Sequence, residues 1–264
     1  MEKLEYIRYE VSGRLATLTL NRPEEDNTLH YSFIAELKWA LAQAEQDGQV
    51  KALLLKAEGP SFCKGVDPRY IFLLQGKGED APEILQDMAY SADLLVQMSK
   101  FRKPLFAAVN GPALGLGCAL LLVCDFVIAT PQAEFGFPDV RMGMIPGIEM
   151  PFLLRRVNAT DARALILSGE AVGAEEARKM GLVFRVVEGD KLEDEVKQTT
   201  ERLLTQAAPG AQELCKRILN DIQEMPLQNA LAFTAKMGAR ARDAHEARKA
   251  IAAKLAGEAI ERWD

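Results

Sequence analysis

Residues 105–119 read Leu105-Phe106-Ala107-Ala108-Val109-Asn110-Gly111-Pro112-Ala113-Leu114-Gly115-Leu116-Gly117-Cys118-Ala119. The first five are uniformly apolar, the pattern of a strand covered on both faces. Asn110-Gly111-Pro112 then breaks the run as a turn. Leu116 to Val123 is apolar on every side, which predicts a fully buried helix whose first turn points out of the sheet. A helix N-terminus carries unpaired N–H groups and a partial positive charge, so it suits a developing anion. A second glycine-containing segment, Ser61-Phe62-Cys63-Lys64-Gly65-Val66-Asp67, follows the short apolar run Ala52–Leu55. Phosphate-loop patterns do not fit, because Gly111, Gly115 and Gly117 do not make GxGxxG and no Gly-Lys-Ser/Thr occurs. Close strand–helix packing is the other use of such glycines, and composition alone leaves both readings open.

Working outward, Ala16–Leu20 alternates as a strand and Asn21-Arg22-Pro23 ends it. Tyr31–Gln46 predicts an amphipathic helix with Ile34, Leu37, Leu41 and Ala44 on one face. Ala81–Ser99 reads as helical, and Phe126–Ala129 as a further buried strand. Strands alternating with helices predict an α/β sheet with crossover connections. After about residue 190 the pattern is purely helical: Glu193–Gln206, Gln212–Gln223, Leu227–Arg240 and Ala244–Trp263. The expected division is an α/β core over 1–190 and a helical region over 191–264.

With 264 residues, 48% of them hydrophobic, the chain has material for a large core. A net charge of −6 argues against nucleic acid as the main partner, since phosphate binding needs a clustered basic surface. Cys63, Cys118, Cys124 and Cys215 show no CxxC spacing and read as buried thiols in a reducing compartment. Only His30 and His245 are available, so no metal site is expected. The N-terminus lacks a signal pattern, and no apolar stretch is long enough to span a membrane; the expected location is cytoplasmic.

Taken together, these motifs are similar to those of the enoyl-CoA hydratase/isomerase (crotonase) superfamily. Leu20-Asn21-Arg22-Pro23 with Asn27-Thr28-Leu29 resembles its opening LNRP…NAL. Phe62-Cys63-Lys64-Gly65-Val66-Asp67 resembles FCAGAD, and Ala108–Ala119 resembles AVNGxALGGGCE. Cys124-Asp125 with Phe135-Gly136-Phe137-Pro138-Asp139 is similar to CD…FGxPE, while Ile145-Pro146-Gly147 and Gly181-Leu182-Val183 match IPG and GLV. The order of so many motifs, more than any one of them, carries the resemblance.

The resemblance implies a crotonase-like α/β fold of repeated ββα units with a helical C-terminal trimerisation region. It implies an acyl-CoA thioester as substrate and no permanently bound cofactor, coenzyme A arriving with the acyl group. It also implies a homotrimer or a dimer of trimers. Matching residue by residue places the two oxyanion-hole N–H groups at Val66 and Leu116; CoA contacts are expected at Lys64, through its charge, at Gly65 and Val66, and at Lys254, in a segment that loosely resembles the family's last helix. Arg69 and Lys103 offer further positive charge to a CoA phosphate, though exposure to solvent is the plainer role for Lys64, Arg69 and Lys103 alike.

The family's hydratases use two glutamates on one water. Here Ala119 stands at the first position and Asp139 at the second. Ala119 moves no proton, so a single carboxylate suggests shuttling as in double-bond isomerases. Glu149 is the remaining candidate, either as a second acid in the pocket or as a first-turn residue stabilising a helix dipole. Asp67 and Glu134 read as structural caps, and His30 as packing. The favoured reaction is therefore double-bond isomerisation through an enolate. Hydration, hydrolysis or decarboxylation by Asp139 with Glu149 is the alternative. A catalytically quiet acyl-CoA binder is the rival from a different class.

Overall fold

The computed structural model describes residues 4–78, 81–259 and 263. An antiparallel hairpin, β1 (Ile7–Ser12) and β2 (Leu15–Leu20), precedes α1 (Tyr31–Gln46) and β3 (Ala52–Ala57). Then come α2 (Pro68–Leu74), α3 (Pro82–Ser99), β4 (Leu105–Val109), β5 (Ala113–Leu114) and α4 (Leu116–Leu122). Next are β6 (Phe126–Ala129), β7 (Glu134–Gly136), α5 (Met150–Arg156), α6 (Ala159–Ser168), β8 (Val172–Gly173), α7 (Ala174–Met180) and β9 (Arg185–Val186). Four helices close the chain: α8 (Leu192–Gln206), α9 (Pro209–Asp221), α10 (Leu227–Arg242) and α11 (His245–Leu255).

The larger sheet has the order β1-β2-β3-β4-β6-β9 and is parallel from β2 onward. The smaller one has the order β5-β7-β8. Strands β4 and β6 each hand the chain to a short strand of the smaller sheet before a helical turn begins. This ββα step makes the two sheets share their connections. It also brings the ends of β5 and β7 together, because that pair is parallel, with Ala113 opposite Phe135 and Leu114 opposite Gly136.

All five residues of β4 are buried, as a strand covered on both faces requires. One face packs on α1 through Ile34, Leu37, Leu41 and Ala44, each at most 2% exposed, and on the wholly buried α4. Burying a large aliphatic side chain is worth roughly 1.5–3 kcal/mol relative to leaving it exposed, so the α1 stripe is a main anchor of the fold. The other face holds Leu54, Phe106 and Ile128, and is covered by Leu192, Val196 and Leu204 of α8. The first helix beyond residue 190 thus completes the sheet's second core. In contrast α9 and α11 bury no residue and α10 only Met237. Leu219, Leu227, Leu231, Ile251 and Leu255 stand exposed there.

Three expectations need correction. The terminal helix, expected over Ala244–Trp263, stops at Leu255, and Gly257 follows at φ +74°. Trp263 instead donates its backbone N–H to the Thr205 carbonyl (3.2 Å), and its own carbonyl accepts from the Arg14 guanidinium; Ile260 lies outside the described residues. Secondly, Cys215 is exposed, whereas Cys63, Cys118 and Cys124 are buried, their thiols pushed up to about 12 by burial. Thirdly, Lys103 is buried beneath the end of α1, donating to the Ala44 (2.5 Å) and Asp47 (2.7 Å) carbonyls, so its charge neutralises that helix terminus and not a ligand. Among the described residues no helix is long and apolar enough to cross a membrane, and no group of three or more His, Cys, Asp or Glu side chains is placed to hold a metal ion.

Candidate active site

The segment 61–67 is threaded between two neighbours. On one side the Cys63 N–H donates to Pro112 O (3.1 Å) and Leu114 N–H to Cys63 O (2.9 Å). On the other, Leu29 N–H donates to Gly65 O and Asp67 N–H to Leu29 O, both at 2.8 Å. Val66 is therefore bridged to Leu29 through its neighbours' groups, and its own N–H points the opposite way, as in any parallel ladder. Val66 also lines a cavity of about 280 Å³.

The second donor comes from the β5–α4 junction. Gly115 holds φ +52° and ψ −127°, a conformation costly for any residue with a Cβ, and it turns the chain abruptly from strand into helix. Leu116 opens α4, so its N–H has no partner one turn back. A Cβ on Gly65 would lie 3.6 Å from Leu116 N, which places the two glycine segments in contact at this point. Gly117 serves packing instead: a Cβ there would lie 2.2 Å from Cys63 O.

The β5–β7 register carries Asp139 to the same place. Gly115 N–H donates to Gly136 O (2.9 Å), and β7 exits through Phe137-Pro138-Asp139 into a 3-10 turn over Pro138–Met142. Pro138 fixes its own φ and stiffens the approach. A Cβ on Gly115 would meet Asp139 Oδ2 at 3.8 Å. That oxygen is buried, has no hydrogen-bond partner among the described residues, and lines the cavity wall. Burial raises the Asp139 carboxyl above its ordinary range.

Glu149 stands at the start of α5, and α5 packs against α4. It is 6% exposed and lines the same cavity, and its Oε2 also lacks a partner among the described residues. Burial raises its carboxyl to about 7, with the neighbouring Asp139 charge adding to it and the backbone amides of Glu149 and Ile148 opposing. The side chain makes no capping hydrogen bond to α5 and is buried against the cavity. Ala119 is fully buried and adds no polar side-chain atom.

Lys64 and Gly65 line the cavity, Lys64 in an ion pair with Asp26 at 3.1 Å. Arg69 lies off the cavity, held by Glu25 (2.6 Å) and Asp67 (3.2 Å). Asp67 caps α2, accepting from Arg69 N–H at 2.9 Å, and its carboxyl is lowered to about 2 by Arg69 and Arg22, which outweigh the burial that would raise it. His30 packs edge-on against Tyr6 with ring centroids 4.6 Å apart. Lys254 sits exposed in the last turn of α11 and does not line the cavity. The rest of the cavity wall comes from Ile71, Leu74 and Gln75 of α2 or its end, and from Ile84, Asp87, Met88 and Ser91 of α3.

The two glycine segments and the carboxylates of Asp139 and Glu149 meet at one largely apolar cavity, an arrangement that suits an anionic oxygen with proton transfer next to it. The family model for enoyl-CoA hydratase/isomerase matches residues 10–256. The chain belongs to the enoyl-CoA hydratase/isomerase family. A probable enoyl-CoA hydratase of Rhizobium meliloti is 35% identical over 237 residues, 88% of each chain. A 1,2-epoxyphenylacetyl-CoA isomerase of Escherichia coli is 34% identical, covering 86% of this chain and 87% of that protein. The crystal structure of an enoyl-CoA hydratase/isomerase from Marinobacter aquaeolei superposes with a TM-score of 0.90 at 29% identity, covering 98% and 99%. The fold is thus the crotonase fold, and the protein is an acyl-CoA enzyme of enoyl-CoA hydratase/isomerase type.

Proposed function

We propose that the enzyme moves a double bond in an enoyl-CoA, with Asp139 as the proton carrier. The observation behind this is the replacement of the first hydratase carboxylate by the buried Ala119, while Asp139 keeps an unpartnered oxygen next to Gly115. Asp139 takes a proton from C2 of a 3-enoyl thioester. The electrons pass to the thioester oxygen, held by Val66 and Leu116 N–H, each such donor being worth about 3–4 kcal/mol of barrier. The proton returns at C4 as C2=C3 forms, leaving Asp139 ionised again. Lys64 and Gly65, which line the cavity, are the proposed contacts of the CoA arm, with Lys254 contributing only from another subunit.

A second reading has its own support. Glu149 faces the same cavity, is raised to about 7, and so offers a proton near neutrality. With Asp139 as base it would make a two-carboxylate site able to add water or open a CoA ester. Exposed apolar residues on α9–α11 favour a homotrimer, and the buried unpaired thiols fit a reducing cytoplasm. The test is a panel of 2- and 3-enoyl-CoA isomers with product identification. Isomers interconverting without added water support the first reading; fast crotonyl-CoA hydration would replace it with the second. Tight binding with no turnover of any member would favour a quiet binder.

A further inference from the structure

Ile84, Asp87, Met88 and Ser91 lie at helical spacings of three and four, and all four line the cavity. They form the stripe that α3 presents to the acyl site. Apolar residues are expected throughout such a stripe, yet its middle carries a carboxylate and its end a hydroxyl that is 3% exposed. Tyr70 of α2 donates its phenol to Asp87 Oδ1 at 2.8 Å. Loss of water raises the Asp87 carboxyl, and the Tyr70 hydroxyl is the group that offsets this. Asp87 forms no salt bridge among the described residues. A half-buried carboxylate with one neutral donor retains acceptor capacity on its remaining lone pairs.

We infer that Asp87, oriented by Tyr70, selects acyl groups carrying a hydroxyl on the chain beyond the reacting carbons, and rejects those carrying a carboxylate. The inference rests on the acyl-CoA reading of the cavity. Asp87 lines the cavity from α3, whereas Val66, Leu116, Asp139 and Glu149 stand on other segments, and the inference assigns it to the acyl tail and not to the thioester. A chain hydroxyl would give Asp87 a charge-assisted hydrogen bond and leave Ser91 to accept or donate beside it. A terminal carboxylate would face a like charge in a site poor in water, and a plain alkyl chain would leave Asp87 desolvated with one partner.

The experiment measures equilibrium binding of saturated acyl-CoAs, which cannot react as enoyl substrates. Chains of six, eight and ten carbons end in methyl, hydroxyl or carboxylate. For at least one length the wild type should bind the hydroxyl-ended chain about tenfold or more tighter than the methyl-ended one, and the carboxylate-ended chain weakest. Asp87→Leu should reverse the hydroxyl preference, and Asp87→Asn should relieve the carboxylate penalty while keeping the fold. Tyr70→Phe should retain the ranking with a smaller hydroxyl preference, since the carboxylate remains but loses the donor that orients it. Binding with the same ranking in the wild type, Asp87→Leu and Asp87→Asn overturns the inference alone. Failure of every member to bind the wild type overturns the acyl-CoA reading along with it.

Discussion

Replacing Glu149 by glutamine removes a charge and keeps the shape. The wild-type carboxyl is 6% exposed and is raised from 4.5 to about 7, chiefly by burial. Because the folded value lies above the unfolded one, the folded protein retains a proton that the unfolded chain gives up. The stability this contributes is complete below the unfolded value and is lost as pH rises through 7. Between pH 5 and pH 8 the wild type should therefore lose about 2.5 kcal/mol that Glu149→Gln keeps, the linkage integral for a shift of this size. At about 2.1 cal/mol/K of unfolding entropy per residue, a chain of 264 residues moves its Tm by about 2 °C per kcal/mol, so the variant should gain about 5 °C on the wild type across that interval. Differential scanning calorimetry of both proteins at the two pH values measures it. The pH 5 difference contains the cost of packing an amide and serves as the baseline. Equal Tm differences at pH 5 and pH 8 would refute the reasoning, because they would mean that Glu149 ionises as it does in water.

Asp139→Asn should cut turnover of the enzyme's enoyl-CoA substrate by at least about 100-fold while leaving CoA affinity within a few-fold, since the Val66 and Leu116 donors are untouched; steady-state kinetics with a binding titration checks both. Glu149→Gln should cost less than Asp139→Asn on the same substrate, and the opposite order would make Glu149 the principal carboxylate. Sedimentation equilibrium at micromolar concentration should give a trimer or hexamer, and a stable monomer would leave Leu219, Leu227, Leu231, Ile251 and Leu255 without cover. A thiol reagent should titrate one cysteine quickly in the native protein, Cys215, and the other three only on unfolding, because Cys63, Cys118 and Cys124 are buried with thiols pushed up to about 12.

What the sequence reveals here follows from how locally each feature is determined. The helix Tyr31–Gln46 and the strands Leu105–Val109 and Phe126–Ala129 occur with the limits that their apolar periodicity predicts, because their faces meet the core along their whole length. Strand β1 is not legible: only Ile7 is buried, so Ile7–Ser12 is an edge strand held by the backbone ladder to β2 and not by a pattern of side chains. The two-residue strands β5 and β8 are too short for any periodicity, yet the β5–β7 register is what joins Asp139 to the Gly115–Leu116 turn.

The site divides in the same way. Val66, Leu116 and Asp139 sit beside motif glycines and a proline whose backbone demands are visible one residue at a time. Glu149 and Asp87 carry no such mark, because what gives each its character is the absence of water and of counter-charge, a property of the packed neighbours. A helix-start glutamate and a mid-helix aspartate look ordinary in isolation. Only when α5 is laid on α4, and α3 along the cavity, does the first become a proton-holding acid and the second an acceptor facing the acyl chain. Asp87 does interrupt the stripe formed by Ile84, Met88 and Ser91, and a charge at a position that periodicity assigns to the inside needs a partner. Tyr70 supplies part of that partnership, and the substrate is left to supply the remainder.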